Sequence, residues 1–492
     1  MTSGRSGLIR RCETYARYTL PKICPSDTFD QNSQEMAHDY QAVGAQAVNH
    51  LANKIMLAQF APSRPFFRLD PSVGMAKKLA DLQVSTADVA NMLAQGEQAA
   101  VKQLDSKALR PKLYETIKHM IVTGNVLMDL SDDTMRVLGI KKYAVRRSLS
   151  GKLLELMIAD RVVFDELEPS VQNACRRQHT NDKEVTLFKW IKRDHLGDYH
   201  MTQWVDSNQL PAAFNGKWPE AKLPFRVLTW DLADGQHYGT GLVEDYSRDF
   251  SGLSTLSLAQ VQGAILCSQF RWLVNPAGIT RPEDFEQSEN GAAIPGTEGD
   301  IVLVTSGKSA DLQITMAMAA EYVNRIGKGF LLGSNMVRQA ERVTREEIRL
   351  VIDELETALG GAYSRMAVDL QGPLAHWLLA SIKIETHGAG FEPTVITGLD
   401  ALSRNGDLEN LKMFLADLAA LATLPPELLA KLKLDTISTD LATGHGIVGT
   451  KYVKSEQQQA QEQQQAQDQQ VKAAAAQTAL DVTAKQQGQP KA

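Results

Sequence analysis

Three stretches of the sequence repeat apolar residues at alternating spacings of four and three. The first stretch covers residues 312–330, the second 348–370 and the third 408–418. This spacing lines the apolar side chains along one face of a helix that packs against other helices. The sequence therefore predicts a mainly helical protein. A neighbouring subunit and an internal core would cover such faces equally well.

Several local signals add detail to this helical prediction. Thr344 and Glu347 form a capping box at the start of the second stretch, because each side chain can bond the free amide of the other residue. The Gly360-Gly361 pair lies in the middle of that stretch and predicts either a kink or the close approach of a neighbouring backbone. Apolar periodicity also predicts helices at residues 40–60, 112–122 and 242–265.

A smaller part of the chain has the pattern of β-structure. Residues 184–205 contain short β-favouring runs on both sides of Leu196-Gly197-Asp198, which predicts a hairpin. Residues 276–307 form a polar insert between two predicted helices, with a short strand expected at 301–304. The expected fold class is α+β, mainly α with a smaller β-rich part. From residue 455 the chain is rich in Gln and Ala, and we expect a disordered or fraying helical tail.

Composition narrows the functional classes. The 492 residues carry 52 Lys and Arg against 58 Asp and Glu, a formal net charge of −6. A dedicated tight nucleic-acid binder is usually basic, so any contact with DNA should be weak or local. We expect no membrane partner, because we find no stretch approaching the ~20 apolar residues that span a bilayer. The four cysteines have neither disulfide-framework nor zinc-site spacing, which favours a reducing compartment.

Nucleotide-binding motifs are incomplete in this sequence. Gly307-Lys308-Ser309 resembles the end of a P-loop, but the required earlier glycine is replaced by Val302. Gly239 and Gly241 lack the third glycine of a dinucleotide fingerprint, so a turn before a helix explains them better. We predict no nucleotide cofactor.

The candidate metal ligands have ordinary explanations. His195 and His200 flank the predicted hairpin turn, where exposed histidines are common. The run Ser131-Asp132-Asp133 is more typical of a solvated turn than of a magnesium site. We predict no catalytic residue and no metal site. Carboxylates brought together by folding leave no sequence trace, so a metal-dependent enzyme stays an alternative.

Eleven short segments appear in an order that matches a known family. None of them is a chemical motif alone. The segments are residues 18–25, 40–49, 51–57, 67–69, 123–127, 273–280, 341–349, 354–356, 359–361, 363–364 and 397–402. Together, over residues 15–410, they resemble the head-to-tail connector, or portal, family of podovirus-type bacteriophages.

The resemblance implies a structural role without catalysis. Members of this family form a ring, typically a dodecamer, at one vertex of the viral head. A separate terminase pumps double-stranded DNA in through the axial channel, and DNA leaves by the same route. The implied partners are further copies of the chain, DNA, terminase, the major capsid or scaffold protein, the tail adaptor and internal core proteins. The implied location is the virion, after assembly in the host cytoplasm.

The family architecture of wing, stem, clip and crown implies a division of this chain. The segments are a wing (1–240), a first stem helix (241–270), a clip (271–311), a second stem helix (312–330), a tunnel loop (331–343), a long wing helix (344–385), a crown (386–454) and the tail (455–492). Within the tunnel loop, Arg338, Gln339 and Arg342 are implied to face DNA. Alternatively, Arg338 and Arg342 bond acidic residues of the same or the next subunit. A non-portal assembly or adaptor protein is a further alternative.

Overall fold

A computed structural model describes most of the first four fifths of the chain. The described residues are 4–30, 33–60, 65–71, 74–75, 78, 86–175, 184–269, 271–304, 309–332, 345–384, 391–395 and 416. The chain divides into two compact units, 1–398 and 399–492. The predicted third helical stretch, the tail and nearly all of the predicted crown lie outside the described residues.

Helices form the larger part of the regular structure among the described residues of the first unit. In chain order they are α1 (Ser6–Tyr18), α2 (Val43–Gln59), α3 (Thr86–Ser106), α4 (Leu109–Thr123), α5 (Pro169–Cys175), α6 (Leu242–Asp245), α7 (Ser247–Ser268), α8 (Pro282–Gln287), α9 (Ser309–Gly329), α10 (Arg345–Met366) and α11 (Gly372–Ser381). A π-helical segment, Ala367–Gln371, joins α10 to α11. The predicted helices at 40–60, 112–122, 242–265 and 312–330 are thus confirmed, with small shifts at their ends.

The strands of the described residues form four antiparallel sheets. They are β1 (Phe67–Pro71), β2 (Asn125–Asp129), β3 (Arg136–Gly139), β4 (Tyr143–Arg147), β5 (Leu153–Val163), β6 (Glu184–Arg193), β7 (Tyr199–Val205), β8 (Asn208–Gln209), β9 (Gly216–Trp218), β10 (Phe225–Thr229), β11 (Arg271–Val274), β12 (Ile301–Val304) and β13 (Phe391–Val395). The largest sheet has the order β4-β5-β6-β7-β8, with β9 also paired to β7. The others are β10-β2-β3, β1-β13 and β11-β12. The predicted hairpin at 184–205 and the predicted strand at 301–304 are confirmed, and the α+β class is correct.

Two main hydrophobic clusters hold the unit together. The larger joins α1, α2 and α4 to α10 and α11, and it includes Phe250 and Phe330 from the ends of α7 and α9. The smaller lies between the three-stranded sheet and the largest sheet, around Leu127, Tyr143 and Ile191. Burying side chains of this size contributes about 1.5–3 kcal/mol each relative to exposure. The helical and β-rich parts therefore share one folded unit.

The second apolar stretch is not one straight helix. Gly360 interrupts α10 with φ 35° and ψ −101°, a left-handed conformation that suits glycine. Leu355, Met366 and Leu370 are buried on the core side, as the spacing predicts. Of the two alternatives for Gly360-Gly361, a kink or the close approach of a neighbouring backbone, the structure shows the kink. In place of the single long helix expected at 344–385, the structure has α10, which is kinked at Gly360, then the π segment and α11.

Helices α7 and α9 form an antiparallel pair, which we call the helical hairpin. Arg325 forms an ion pair with Asp249 at 3.0 Å, and Gln260 Nε2 donates to Thr315 O at 3.1 Å. A Cβ on Gly263 would lie 2.5 Å from a Leu312 methyl carbon, so the absence of a side chain lets the helices approach closely. The insert between them, residues 271–304, contains β11, α8 and β12.

Most of the apolar surface of the helical hairpin is exposed. In α7 only Phe250 and Leu253 are buried. The exposed apolar side chains of the two helices include Val261, Ile265, Leu266, Ile314, Met316, Met318 and Val323. The apolar repeat at 312–330 is thus only partly covered within one chain, and much of its apolar area is free to contact another surface.

By length and composition, α7 is apolar enough to cross a membrane. Only 11% of its most apolar stretch is buried within the chain. The expectation that no stretch approaches this length was wrong for α7. After Arg248 and Asp249 the helix contains no charged residue, and Ser, Gly and Gln separate its apolar residues without ending the stretch. One helix of this kind is weak evidence for a membrane segment, because helices of soluble proteins can share these properties.

Candidate functional site

The residues expected to face DNA lie outside the described part of the structure. Arg338, Gln339 and Arg342 belong to the stretch 333–344, which separates the end of α9 from the start of α10. The structure does describe both flanks of this stretch. The chain leaves α9 at Gly329, continues to Leu332, and resumes in α10 at Arg345.

Lys54 connects the two flanks. It lies on α2, and its side chain is only 2% exposed. The ammonium group donates to Leu331 O at 3.1 Å and to Glu354 Oε2 at 2.8 Å. Leu331 precedes the stretch 333–344 and has φ 58°, while Glu354 lies on α10 behind it. A single buried cation therefore holds both ends of this stretch against α2.

His50 and Phe330 complete this anchorage. His50 lies one helical turn before Lys54, and its Nε2 is 3.1 Å from the same Leu331 O. Burial, followed by the positive charge of Lys54, lowers the pKa of His50 below its usual value. Phe330 is fully buried and meets Tyr246 and Phe250 edge to face, with ring centroids 5.6 and 5.7 Å apart. Sequence reasoning missed this network, although Lys54 stands out as a charged residue among the apolar residues of α2.

The insert has its own local order. The Asp300 carboxylate accepts hydrogen bonds from the backbone N–H groups of Ile279 and Thr280 at 2.9 and 3.1 Å, and from the Thr280 hydroxyl at 3.0 Å. These bonds lower the pKa of Asp300, because they favour its charged form. Trp272 packs edge to face on Phe285 with ring centroids 5.0 Å apart. The insert therefore presents a defined loop structure.

Several of its apolar side chains are exposed. They include Trp272, Leu273, Val274, Ile279, Phe285, Val302 and Leu303. The insert thus adds exposed apolar side chains to those of the helical hairpin.

The motif candidates occupy ordinary positions. Ser131, Asp132 and Asp133 form an exposed bend, as the sequence predicts. His195 is exposed in the hairpin turn, and His200 Nε2 lies 2.9 Å from Asp194 Oδ2.

The glycine motifs are also explained by packing. Gly241 is the N-cap of α6, and a Cβ there would lie 2.7 Å from Gly124 N. Gly307 and Lys308 lie outside the described residues, and Ser309 begins α9.

Within the described ranges, no group of three or more His, Cys, Asp or Glu residues could hold a metal ion. Cys12, Cys24 and Cys175 are buried, and Cys267 is exposed. Burial raises the pKa of the Cys12 thiol to about 12 and that of Cys24 to about 11. Both are therefore protonated near neutral pH and are poor nucleophiles.

Comparison with known proteins identifies the family. Residues 1–450 match the family model for the bacteriophage head to tail connecting protein. The portal protein of Enterobacteria phage T3 is 31% identical over 473 residues, covering 93% of this chain and 88% of the relative. That of Escherichia phage T7 is 31% identical over 466 residues, covering 92% and 86%. That of Enterobacteria phage SP6 is 32% identical over 463 residues, covering 93% and 89%.

A solved structure of the neck of an empty gene transfer agent particle, with C6 symmetry, is more distant. Its matching chain is 13% identical with a TM-score of 0.39, covering 83% of this chain and 90% of that one. This similarity is too low to support an argument about the fold. The match to the family model and the identity with the three portal proteins show that this chain belongs to the head-to-tail connector family of tailed bacteriophages, the portal proteins.

Proposed function

We propose that copies of the chain assemble into a closed ring, typically of twelve, at one vertex of a phage head. Double-stranded DNA passes along the axis of this ring. The observation that carries this proposal is the apolar surface of the helical hairpin and the insert, which one chain leaves exposed. Contiguous exposed apolar surface typically marks a protein interface. In a ring, one surface of each subunit meets a different surface of the next subunit, so every copy is covered in the same way.

The family architecture suggests a role for each part. In this proposal the helical hairpin is the stem, the insert is the clip, and the β-rich part with α1–α4 is the wing. The stretch 331–343 is the tunnel loop, with Arg338, Gln339 and Arg342 toward DNA. The anchorage at Lys54 suits such a loop, because both ends of a channel-lining segment must be fixed. Terminase, the tail adaptor, the capsid or scaffold protein and the internal core proteins are the proposed partners, with assembly in the host cytoplasm.

Electron microscopy of the purified protein, together with mass by light scattering, tests the ring directly. We expect closed particles with a central hole wide enough for duplex DNA and a mass that is a multiple of the 54.1 kDa subunit. A protein that stays monomeric under all assembly conditions contradicts the proposal. Assemblies without a DNA-sized hole would favour the adaptor alternative instead.

A substitution on α7 tests whether its exposed face lies between subunits. Replacing Ile265, which is 53% exposed, by glutamate places a charge in the proposed interface. Losing the burial of one such side chain should raise the concentration for half-assembly about tenfold. The matched control is Gln209→Glu, an exposed polar position on β8 outside the helical hairpin, which we expect to assemble normally. Equal assembly of both variants would remove this face from the interface.

A second substitution tests the tunnel loop. We expect the double variant Arg338→Gln/Arg342→Gln to form rings that bind duplex DNA more weakly and with a lower salt dependence. The slope of log affinity against log salt falls by about 0.9 for each phosphate that the protein no longer neutralises. The control is Arg161→Gln, an exposed arginine on β5. Normal DNA binding with impaired assembly would instead show that these arginines bond acidic residues between or within subunits.

A further inference from the structure

Three arginines converge where the β-rich part meets α10 and α11. Arg147 ends β4, Arg226 lies on β10, and Arg365 lies in the last turn of α10. Arg147 Nη2 donates to Val227 O at 3.0 Å, which places its guanidinium beside the residue that follows Arg226. The π segment packs against β10 and brings Asp369 to the same place.

The positive charge at this place exceeds the negative charge. Asp369 is the carboxylate that acts electrostatically on both Arg147 and Arg226. Glu220 also acts on Arg226, but it forms an ion pair with Arg193 at 2.8 Å. Tyr143 and Tyr199, which face the arginines, are neutral phenols because burial raises the pKa of both. Three guanidinium groups against one carboxylate leave two positive charges without a counter-charge among the described residues.

These guanidinium groups are only partly satisfied by the protein. Arg147 Nε, Arg226 Nε and Arg365 Nη1 are enclosed and have no hydrogen-bond partner within the described part of the chain. Burial lowers the pKa of Arg147 and Arg226, which shows that their charged forms are poorly solvated. Partly buried, uncompensated charge is costly, and a bound counter-ion relieves that cost.

The cluster is accessible from solvent. Asp369 is exposed, and partial burial of its carboxyl by the surrounding protein raises the pKa of that group. A cavity of about 370 Å³ opens beside Arg226. Its wall includes Lys222, Trp218, His376 and Trp377. The cavity meets the cluster at Arg226, and it has room for a small anion and for a group attached to it.

We propose that Arg147, Arg226 and Arg365 form a binding site for a divalent phosphate group, either free orthophosphate or a phosphate monoester. Charge selects this ligand, because a dianion neutralises the excess of two positive charges. The planar, multidentate guanidinium group also matches phosphate oxygens well. The indole rings of Trp218 and Trp377 in the adjoining cavity suit a monoester with an aromatic group, such as a nucleoside monophosphate. The site does not depend on the proposed passage of DNA.

Calorimetric titration of the full-length protein with orthophosphate, a nucleoside 5′-monophosphate and a short DNA duplex tests this site. Each titration is made at constant ionic strength in chloride. We expect saturable binding of orthophosphate, of the monoester or of both, and the tighter of the two identifies the source of the phosphate. Binding of the duplex alone would overturn the assignment, because a phosphodiester carries one charge. Binding of none of the three would overturn it as well.

The proposal predicts opposite changes in phosphate affinity for two substitutions. Arg365→Gln should weaken phosphate binding on the order of tenfold, because it removes one charged donor. Asp369→Asn should strengthen binding by a similar factor, because it removes the repelling carboxylate. The control Arg161→Gln should leave binding unchanged. If Arg365→Gln fails to fold, Asp369→Asn still decides the matter, since unchanged or weaker binding by that variant contradicts the proposal.

Discussion

We expect the replacement of Lys54 by methionine to lower the free energy of unfolding by about 3 kcal/mol. The change removes a buried cation and leaves two acceptors, Leu331 O and the Glu354 carboxylate, without this donor. Loss of one partner of a buried ion pair typically costs about 3–5 kcal/mol. The lower end applies here because Glu354 is 26% exposed and water can partly replace the ammonium group. Denaturant unfolding of the variant and the wild type, at one protein concentration, measures the difference.

The double variant Lys54→Met/Glu354→Gln separates the charge from the packing. We expect it to recover part of the loss, because no unpaired carboxylate remains next to α2. A matched surface control, Lys152→Met, should change stability by less than about 0.5 kcal/mol. A Lys54→Met protein as stable as the wild type would show that the two flanks of residues 333–344 are held by other contacts.

The second large effect is a loss of folding stability at acidic pH. His119 on α4 is buried, its Nδ1 has no hydrogen-bond partner among the described residues, and burial lowers its pKa to about 4. In the unfolded chain the pKa is about 6.5. The fold favours neutral His119, so its contribution is fully present above pH 6.5 and is lost as the pH falls through 6.5 toward 4. The loss is on the order of 3 kcal/mol across this window.

Replacing His119 by leucine should remove this part of the pH dependence. The wild type should lose stability more steeply than the variant between pH 6.5 and pH 4, as measured by thermal unfolding in matched buffers. His195→Leu, at an exposed turn histidine, should retain the wild-type slope. Identical slopes for the wild type and His119→Leu would mean that His119 gains a proton in the fold as easily as in the unfolded chain.

Periodicity predicted α2 and α4 well, because one face of each helix is buried in the core. The spacing of Leu51 and Ile55 predicted α2, and both residues are buried in the core. The hairpin at Leu196-Gly197-Asp198 followed from local turn chemistry. The interruption at Gly360 also followed from the sequence, because paired glycines in a helical stretch weaken it.

The polar networks were not predictable in the same way. Lys54 meets Leu331 O and Glu354 across separations of 277 and 300 residues, so no local spacing connects them. Arg147, Arg226 and Arg365 lie on three separate elements. The local sequence around each of them contains no motif that indicates a binding site. Tertiary packing alone brings such groups together. The assignment of Arg338, Gln339 and Arg342 to a DNA-facing surface rests on the family resemblance, and it stays a prediction.

The exposed apolar face of the helical hairpin has a thermodynamic consequence. Where folding and association share one surface, the apparent stability of the chain depends on its concentration by mass action. A dilute chain would keep Phe250 and Phe330 buried in its core while Val261 and Ile265 face water. The two helices should then exchange their amide hydrogens for deuterium faster than α2 in dilute protein, and more slowly once copies associate.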